Sequence, residues 1–111
     1  MMTVEERMHM YKGKKLFVET VSKAFEEPAL YSNVKKVEYE VYSRYNPEFD
    51  VTYYAEFIVV TFTSDAKSVR NVSGTSNNGI FVEIGKLING GYYDEVPYYE
   101  QVKTNSELME V

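Results

Sequence analysis

The longest uninterrupted β-forming segment covers residues 51–63, and it constrains the fold more than any other part of the chain. Its sequence, VTYYAEFIVVTFT, consists largely of β-branched and aromatic residues, which favour strands. A strand this apolar needs a neighbour on each edge, because an exposed apolar edge pairs with other chains. We therefore predict that residues 51–62 form the central strand of an antiparallel sheet.

The apolar positions of this segment change phase at its middle. Before Phe57 the apolar side chains fall on odd positions, and after it they fall on even positions. Alternate residues of a strand point to opposite faces, so a regular strand buried on one face would keep a single phase. Either a β-bulge or burial of both faces explains the change.

The segments on either side predict the two flanking strands. Residues 34–45, VKKVEYEVYSRY, alternate between apolar and polar side chains, as a half-exposed strand does. The sequence NPEFD at 46–50 supplies a turn before the central strand. Residues 67–72, KSVRNV, are short and charged, which suits an edge strand.

One helix is predicted before these three strands in the sequence, and a second helix after them. Thr3 and Glu6 have the spacing of a capping box at the start of the first helix, Gly13 could bend it, and Pro28 ends it. Residues 80–88 have apolar side chains at helical spacing and precede an Asn-Gly-Gly helix end. The expected fold is α+β: a three-stranded antiparallel meander with both helices on one face (αβββα), plus a C-terminal acidic, tyrosine-rich arm. Residues 1–103 form one domain in this prediction, and residues 104–111 form a fraying tail.

Composition argues against most catalytic and metal chemistry. The chain has no cysteine, so it cannot form disulfides or thiolate metal sites. His9 is the only histidine, and it lies on the first helix without a recognisable nucleophile or ligand near it in sequence. We expect a protein that is not an enzyme and that uses neither a metal nor a cofactor.

One group of carboxylates has two interpretations. Glu38 and Glu40 point the same way on their strand, with Glu56 expected opposite them, and such a group could hold a divalent ion or perform acid-base chemistry. The favoured interpretation is a solvated face whose charge is balanced by Lys36 and Arg44.

Negative charge is concentrated in two parts of the chain. Residues 38–65 contain six acidic residues against one arginine, a net charge of −5, and residues 87–111 contain five against one lysine, a net charge of −4. Proteins that bind nucleic acid concentrate positive charge instead. The expected partner is therefore a protein with a basic surface.

The sequence GGYYDEVPYYE at 90–100 combines four tyrosines with three carboxylates. Carboxylates spaced along a surface imitate phosphates, and tyrosines are frequent anchors at interfaces. The predicted partner-binding residues lie in this arm and on the first hairpin: Tyr92, Tyr93, Asp94, Glu95, Tyr98, Tyr99, Glu100, Glu38, Glu40, Glu48 and Asp50.

A small acidic chain with a helix, a three-stranded meander, a helix ending LINGG and this arm resembles the phage-encoded anti-CRISPR proteins that inhibit type II-A Cas9. The resemblance implies an inhibitor that binds Cas9, or another nuclease with a basic groove, and blocks guide-RNA loading or recognition of the PAM, the short motif beside the DNA target. It implies a location in the cytoplasm of the bacterial host, no membrane partner, and at most indirect contact with guide RNA. The alternative function is an RNA- or DNA-binding accessory module that uses the lysine-bearing first helix.

Overall fold

The computed structural model describes residues 2–25, 33–90 and 95–111, and the chain is α+β across these ranges. In chain order the elements are α1 (Val4–Phe25), β1 (Val34–Asn46), β2 (Val51–Phe62), β3 (Lys67–Asn71), α2 (Asn77–Ile88), α3 (Val96–Asn105) and β4 (Glu107–Met109). The four strands form one antiparallel sheet in the order β3-β2-β1-β4. None of the helices in the described ranges is long and apolar enough to cross a membrane.

The sheet confirms the predicted pairing of the first three strands and adds a fourth. β2 lies between β1 and β3, and β3 is an edge strand as its short, charged sequence indicated. The predicted three-stranded meander was incomplete, because Met109 of β4 pairs with Val41 of β1. Residues 104–105 complete α3 and residues 107–109 pair with β1, within the stretch that the sequence predicted as a fraying tail.

Burial on both faces explains the change of phase in β2. Ile58 and Val60 pack in the cluster that α1 and α2 cover, whereas Phe57 and Val59 pack in the cluster that α3 covers. The β1–β2 register is continuous through this region, and its one irregularity lies between Val34 and Lys36. The middle of β2 therefore belongs to a part of the sheet that helices cover on both faces.

The capping box begins α1 as predicted. The backbone N–H of Glu6 donates to the Thr3 hydroxyl at 3.0 Å, and the Glu6 carboxylate accepts from the backbone N–H of Thr3 at 3.3 Å. The helix continues through Gly13 to Phe25, and Pro28 lies outside the described residues. Tyr11, Val18 and Phe25 form its buried side.

α2 shares a face of the sheet with α1, as expected. Ile80, Ile84 and Leu87 are buried in the cluster that contains the inner side of α1, whereas Phe81 in the same apolar stretch is 52 % exposed. The helix ends where the N–H of Asn89 donates to the carbonyl of Gly85, and Gly90 follows with a positive φ of 68°. A positive φ favours glycine, which explains the helix end that the sequence indicated.

α3 covers the opposite face of the sheet and changes the interpretation of the C-terminal arm. Its Tyr99 is only 2 % exposed, and the ring lies 5.3 Å from that of Phe57 and 6.0 Å from that of Tyr42. Residues 96–105 are thus an element of the packed fold. Tyr98, Tyr99 and Glu100 of this helix had been predicted as part of a C-terminal arm.

β1 and β2 extend beyond the strands beside them. β4 pairs with β1 no further than Ser43, and β3 pairs with β2 no further than Phe57. Within the described residues, the strand residues among 44–53 pair only with each other. We call residues 44–53 the hairpin end; it projects from a molecule that measures 49 × 27 × 21 Å.

Candidate interaction surface

The hairpin end exposes aromatic and acidic side chains together. Glu48 and Asp50 are exposed at its turn. Its large apolar side chains are also exposed, at 56 % for Tyr45, 65 % for Phe49, 41 % for Val51 and 53 % for Tyr53. Grouped exposed apolar side chains of this kind mark interaction sites, whereas single ones are ordinary. The hairpin end therefore presents the exposed aromatic and acidic side chains that were predicted mainly for the C-terminal arm.

Local hydrogen bonds hold the turn of the hairpin end. The side-chain oxygen of Asn46 accepts from the backbone N–H of Glu48 at 3.0 Å, as asparagine commonly does in turns. Asp50 has a positive φ of 49°, which aspartate tolerates better than most residues. The Tyr45 hydroxyl donates to Asp50 Oδ1 at 2.7 Å, and this bond raises the pKa of Tyr45. These bonds fix the turn backbone and hold the side chains of Tyr45 and Asp50 together.

A cleft of about 470 Å³ lies between the hairpin end and α3. Tyr42 and Ala55 of the sheet line it beside Tyr53 and Arg44 of the hairpin end. Its other wall is the side of α3 that carries Tyr98, Gln101, Val102 and Asn105. Among the described residues that line this cleft, Tyr98 is the one predicted contact residue, and there it adjoins the hairpin end.

Two of the predicted contact residues are hydrogen-bonded inside the fold. The Tyr99 hydroxyl donates to Glu40 Oε2 at 2.5 Å, and the Tyr42 hydroxyl donates to Glu40 Oε1 at 3.0 Å. Burial and then the bond to Glu40 raise the pKa of Tyr99, while burial is the main cause that raises the pKa of Tyr42. Glu40 and Tyr99 thus join α3 to the sheet.

Glu95 also bonds within the fold, at the outer edge of β3. Its backbone N–H donates to the carbonyl of Val69 at 2.9 Å, and its Oε2 accepts from the backbone N–H of Asn71 at 2.5 Å. Its Oε1 lies 3.3 Å from Nη1 of Arg70, and the side chain is 15 % exposed. The backbone N–H and the carboxylate of Glu95 thus cover two backbone groups of β3 that would otherwise be open to another strand.

The other predicted residues are exposed or lie outside the described ranges. Glu38 Oε1 is 3.4 Å from Nζ of Lys36, which agrees with the solvated-face interpretation for that residue, and Glu100 Oε2 is 3.9 Å from Nζ of Lys103. Tyr98 is 46 % exposed. Tyr92, Tyr93 and Asp94 lie outside the described residues.

Glu56 faces away from Glu38 and Glu40, contrary to the expected grouping. It is opposite Val41 in the β1–β2 register, on the face covered by α1. Its Oε1 accepts from Lys14 Nζ at 2.7 Å and from the Tyr39 hydroxyl at 2.6 Å, while its Oε2 accepts from the N–H of Gly74 at 2.8 Å. The three carboxylates therefore do not form one site.

Lys14 and His9 lie on α1, which the alternative function would use to bind nucleic acid. Lys14 is only 7 % exposed, which removes one lysine from the surface that a nucleic-acid-binding first helix would use. His9 is exposed on the same helix. Among the described residues, no group of three or more histidine, aspartate or glutamate side chains is placed to hold a metal ion.

Four residues of this surface were not predicted from the sequence as site residues: Arg44, Tyr45, Phe49 and Tyr53. The available signal was an aromatic residue on each side of the NPEFD turn and one inside it, where a solvent-exposed turn is usually polar.

No protein-family model, curated protein or solved structure matches the chain.

Proposed function

We propose that the protein is a non-enzymatic inhibitor of a type II-A Cas9 that binds a basic, nucleic-acid-binding groove of the nuclease. The observation that carries the proposal is the hairpin end, a projecting β-ribbon with two exposed carboxylates among four large exposed apolar side chains. The resemblance to type II-A anti-CRISPR proteins supplies the identity of the target.

Each kind of side chain on the hairpin end has a role in such binding. Grooves that hold nucleic acid are lined with arginine and lysine, and Glu48 and Asp50 can accept their hydrogen bonds in place of phosphates. Phe49 and Tyr53 supply apolar anchors, which carry much of the energy at protein interfaces. Tyr98 of α3 extends the contact at the cleft, and Glu100 adds an exposed carboxylate elsewhere on the same helix.

Either of two steps of Cas9 function could be blocked by this binding. Occupation of the arginines that read the PAM would prevent recognition of the DNA target, whereas occupation of the guide-binding groove would prevent RNA loading. Adding the protein to Cas9 before or after guide RNA separates these steps. A block of PAM recognition inhibits cleavage in either order, and a block of loading inhibits only when the protein is added first.

The direct test is binding of hairpin-end variants to Cas9, measured with and without guide RNA. The change Glu48→Gln with Asp50→Asn keeps side-chain shape and removes both charges, and the change Phe49→Ser with Tyr53→Ser removes two anchors. We expect each double variant to weaken binding at least tenfold, or about 1.4 kcal/mol. The charge variant should also show a smaller dependence on salt.

The matched control is Glu5→Gln with Glu19→Gln, which removes two exposed charges from α1. This control should bind like the unchanged protein. All variants should keep their free energy of unfolding within about 0.5 kcal/mol, since the changed side chains are exposed. Failure of the unchanged protein to bind any of a panel of type II-A Cas9 orthologues would refute the target, and unaltered binding by both hairpin variants would refute the surface.

A further inference from the structure

The cleft beside the hairpin end differs in charge from most of the molecular surface. The chain contains 17 acidic residues and has a net charge of −5, yet no carboxylate is among the described residues that line this cleft. Arg44 lines it and is exposed, and it makes no ion pair with the described residues. A guanidinium in this position is available to an anionic group, with which it can form two parallel hydrogen bonds.

The cleft also offers aromatic surface to a flat ligand. Tyr53 and Tyr98 each keep about half of their surface exposed, and both line the cleft. The Tyr98 ring also packs against the sheet, because its centroid lies 5.8 Å from that of the Phe57 ring. Exposed tyrosine rings stack well on nucleobases, and such stacking is a common means of binding single bases.

Two amide side chains line the α3 wall. Gln101 and Asn105 are four residues apart on this helix, which places them on the same side of it, and both line the cleft. Each amide carries both donors and an acceptor. Asparagine and glutamine use this pair of groups to bind the edge of a base, adenine above all.

We propose that the cleft binds a nucleoside monophosphate. The base contacts the tyrosine rings and the amides of α3, and the phosphate binds Arg44. The cleft volume of about 470 Å³ falls within the range of small-ligand sites. This inference needs no protein partner, so it does not rest on the inhibition of Cas9.

The surroundings favour a single phosphate over a nucleic-acid strand. Glu107 lines the adjoining part of the same surface together with Arg44, and Glu48 and Asp50 are exposed on the hairpin end. Phosphates on either side of the bound nucleotide would approach these carboxylates and be repelled. A free mononucleotide avoids that repulsion.

The test uses the isolated full chain and follows backbone amide chemical shifts by NMR at low salt. The probes are AMP, adenosine and ribose 5-phosphate, which separate the contributions of base and phosphate. We expect AMP to shift the amides of residues 42–54 and 98–106 in a saturable manner. Adenosine and ribose 5-phosphate should each bind at least tenfold more weakly than AMP.

Two variants assign the groups that bind. Arg44→Gln should reduce AMP binding to the level of adenosine and leave adenosine binding unchanged, while Tyr98→Leu should weaken both ligands. Lys12→Gln is the matched control, because Lys12 is exposed on α1 at the other face of the sheet. Thermal melts of the variants establish that they remain folded.

Three outcomes would overturn the proposal. The first is that AMP causes no saturable shifts at the cleft. The second is that Arg44→Gln, though folded, binds AMP as well as the unchanged protein does. The third is that a short oligoadenylate binds more tightly than AMP, since this would make the ligand a strand.

Discussion

At the scale of single residues, the sequence reveals local contacts well and distant ones poorly. The capping box was predictable because Thr3 and Glu6 are three residues apart, and their hydrogen bonds form as expected. Lys14 and Glu56 are 42 residues apart, and nothing in either local sequence indicates that they meet. Lysine and glutamate patterns were therefore interpreted as exposed charge, although this pair is buried.

We expect Lys14→Met to lower the free energy of unfolding by about 3–5 kcal/mol. The change removes one partner of a buried pair whose side chains are 9 % and 5 % exposed, and it leaves the carboxylate of Glu56 buried without its cation. Denaturant unfolding measures the loss. Lys12→Met, an exposed position on the same helix, serves as the control and should change stability little.

A second substitution checks the cause of that loss. Adding Glu56→Gln to Lys14→Met removes the unpaired charge, and the double variant should recover part of the stability. Recovery is expected because the amide oxygen can still accept from the N–H of Gly74, while the amide NH2 can donate to the Tyr39 hydroxyl, which also accepts. A double variant no more stable than Lys14→Met would show that packing of the lysine side chain, and not its charge, stabilises the fold.

At the scale of elements, periodicity identified α1, α2 and the first three strands but gave little indication of α3 and β4. The inner side of α3 is formed by Val96, Tyr99 and Val102, in a segment rich in polar residues and other tyrosines. β4 has only three residues, too few for a strand pattern. Both elements depend on contacts with a sheet formed earlier in the chain, which no local pattern encodes.

We expect Glu95→Ala to loosen α3 from the sheet and to lower stability by about 1–3 kcal/mol. The substitution leaves the backbone N–H of Asn71 without its carboxylate acceptor and removes the contact with Arg70. Hydrogen exchange should quicken in α3 and β3 while α2 keeps its protection. Glu100→Ala within α3 is the control, because that side chain is 53 % exposed. Equal effects of the two substitutions would contradict this role of Glu95.

At the scale of the whole molecule, the sheet separates two apolar layers, and each layer contains a buried tyrosine bonded to a glutamate. Tyr39 donates to Glu56 on the α1 side, and Tyr99 donates to Glu40 on the α3 side. The two-sided burial was one of two explanations that the sequence of β2 allowed. Which helix covers which side could not be predicted, because α3 was not recognised as a packed helix.

The two layers should lose stability together at alkaline pH. Burial, then the hydrogen bond to a carboxylate, raises the pKa of both Tyr39 and Tyr99 above the value of about 10 that applies in the unfolded chain. The unfolded state therefore releases protons first, and stability that is complete below pH 10 decreases above it. The slope should be about 1.4 kcal/mol per pH unit for each tyrosine.

Denaturant unfolding at a series of pH values measures this slope. Tyr39→Phe with Tyr99→Phe should flatten it, whatever stability the lost hydrogen bonds cost at neutral pH. Tyr53→Phe with Tyr98→Phe changes two exposed tyrosines and is the control. An equally steep decline in the first double variant would assign the alkaline sensitivity to other groups.

The projection of the hairpin end has a consequence for how such a protein can change over generations. No residue of 44–53 belongs to either apolar cluster or packs against one. Substitutions there are released from the requirements of the core, so this segment can vary widely while the chain still folds. If the proposed function holds, a lineage carrying this fold could follow a changing target by altering the hairpin end alone, and its members would come to differ most at that proposed contact surface.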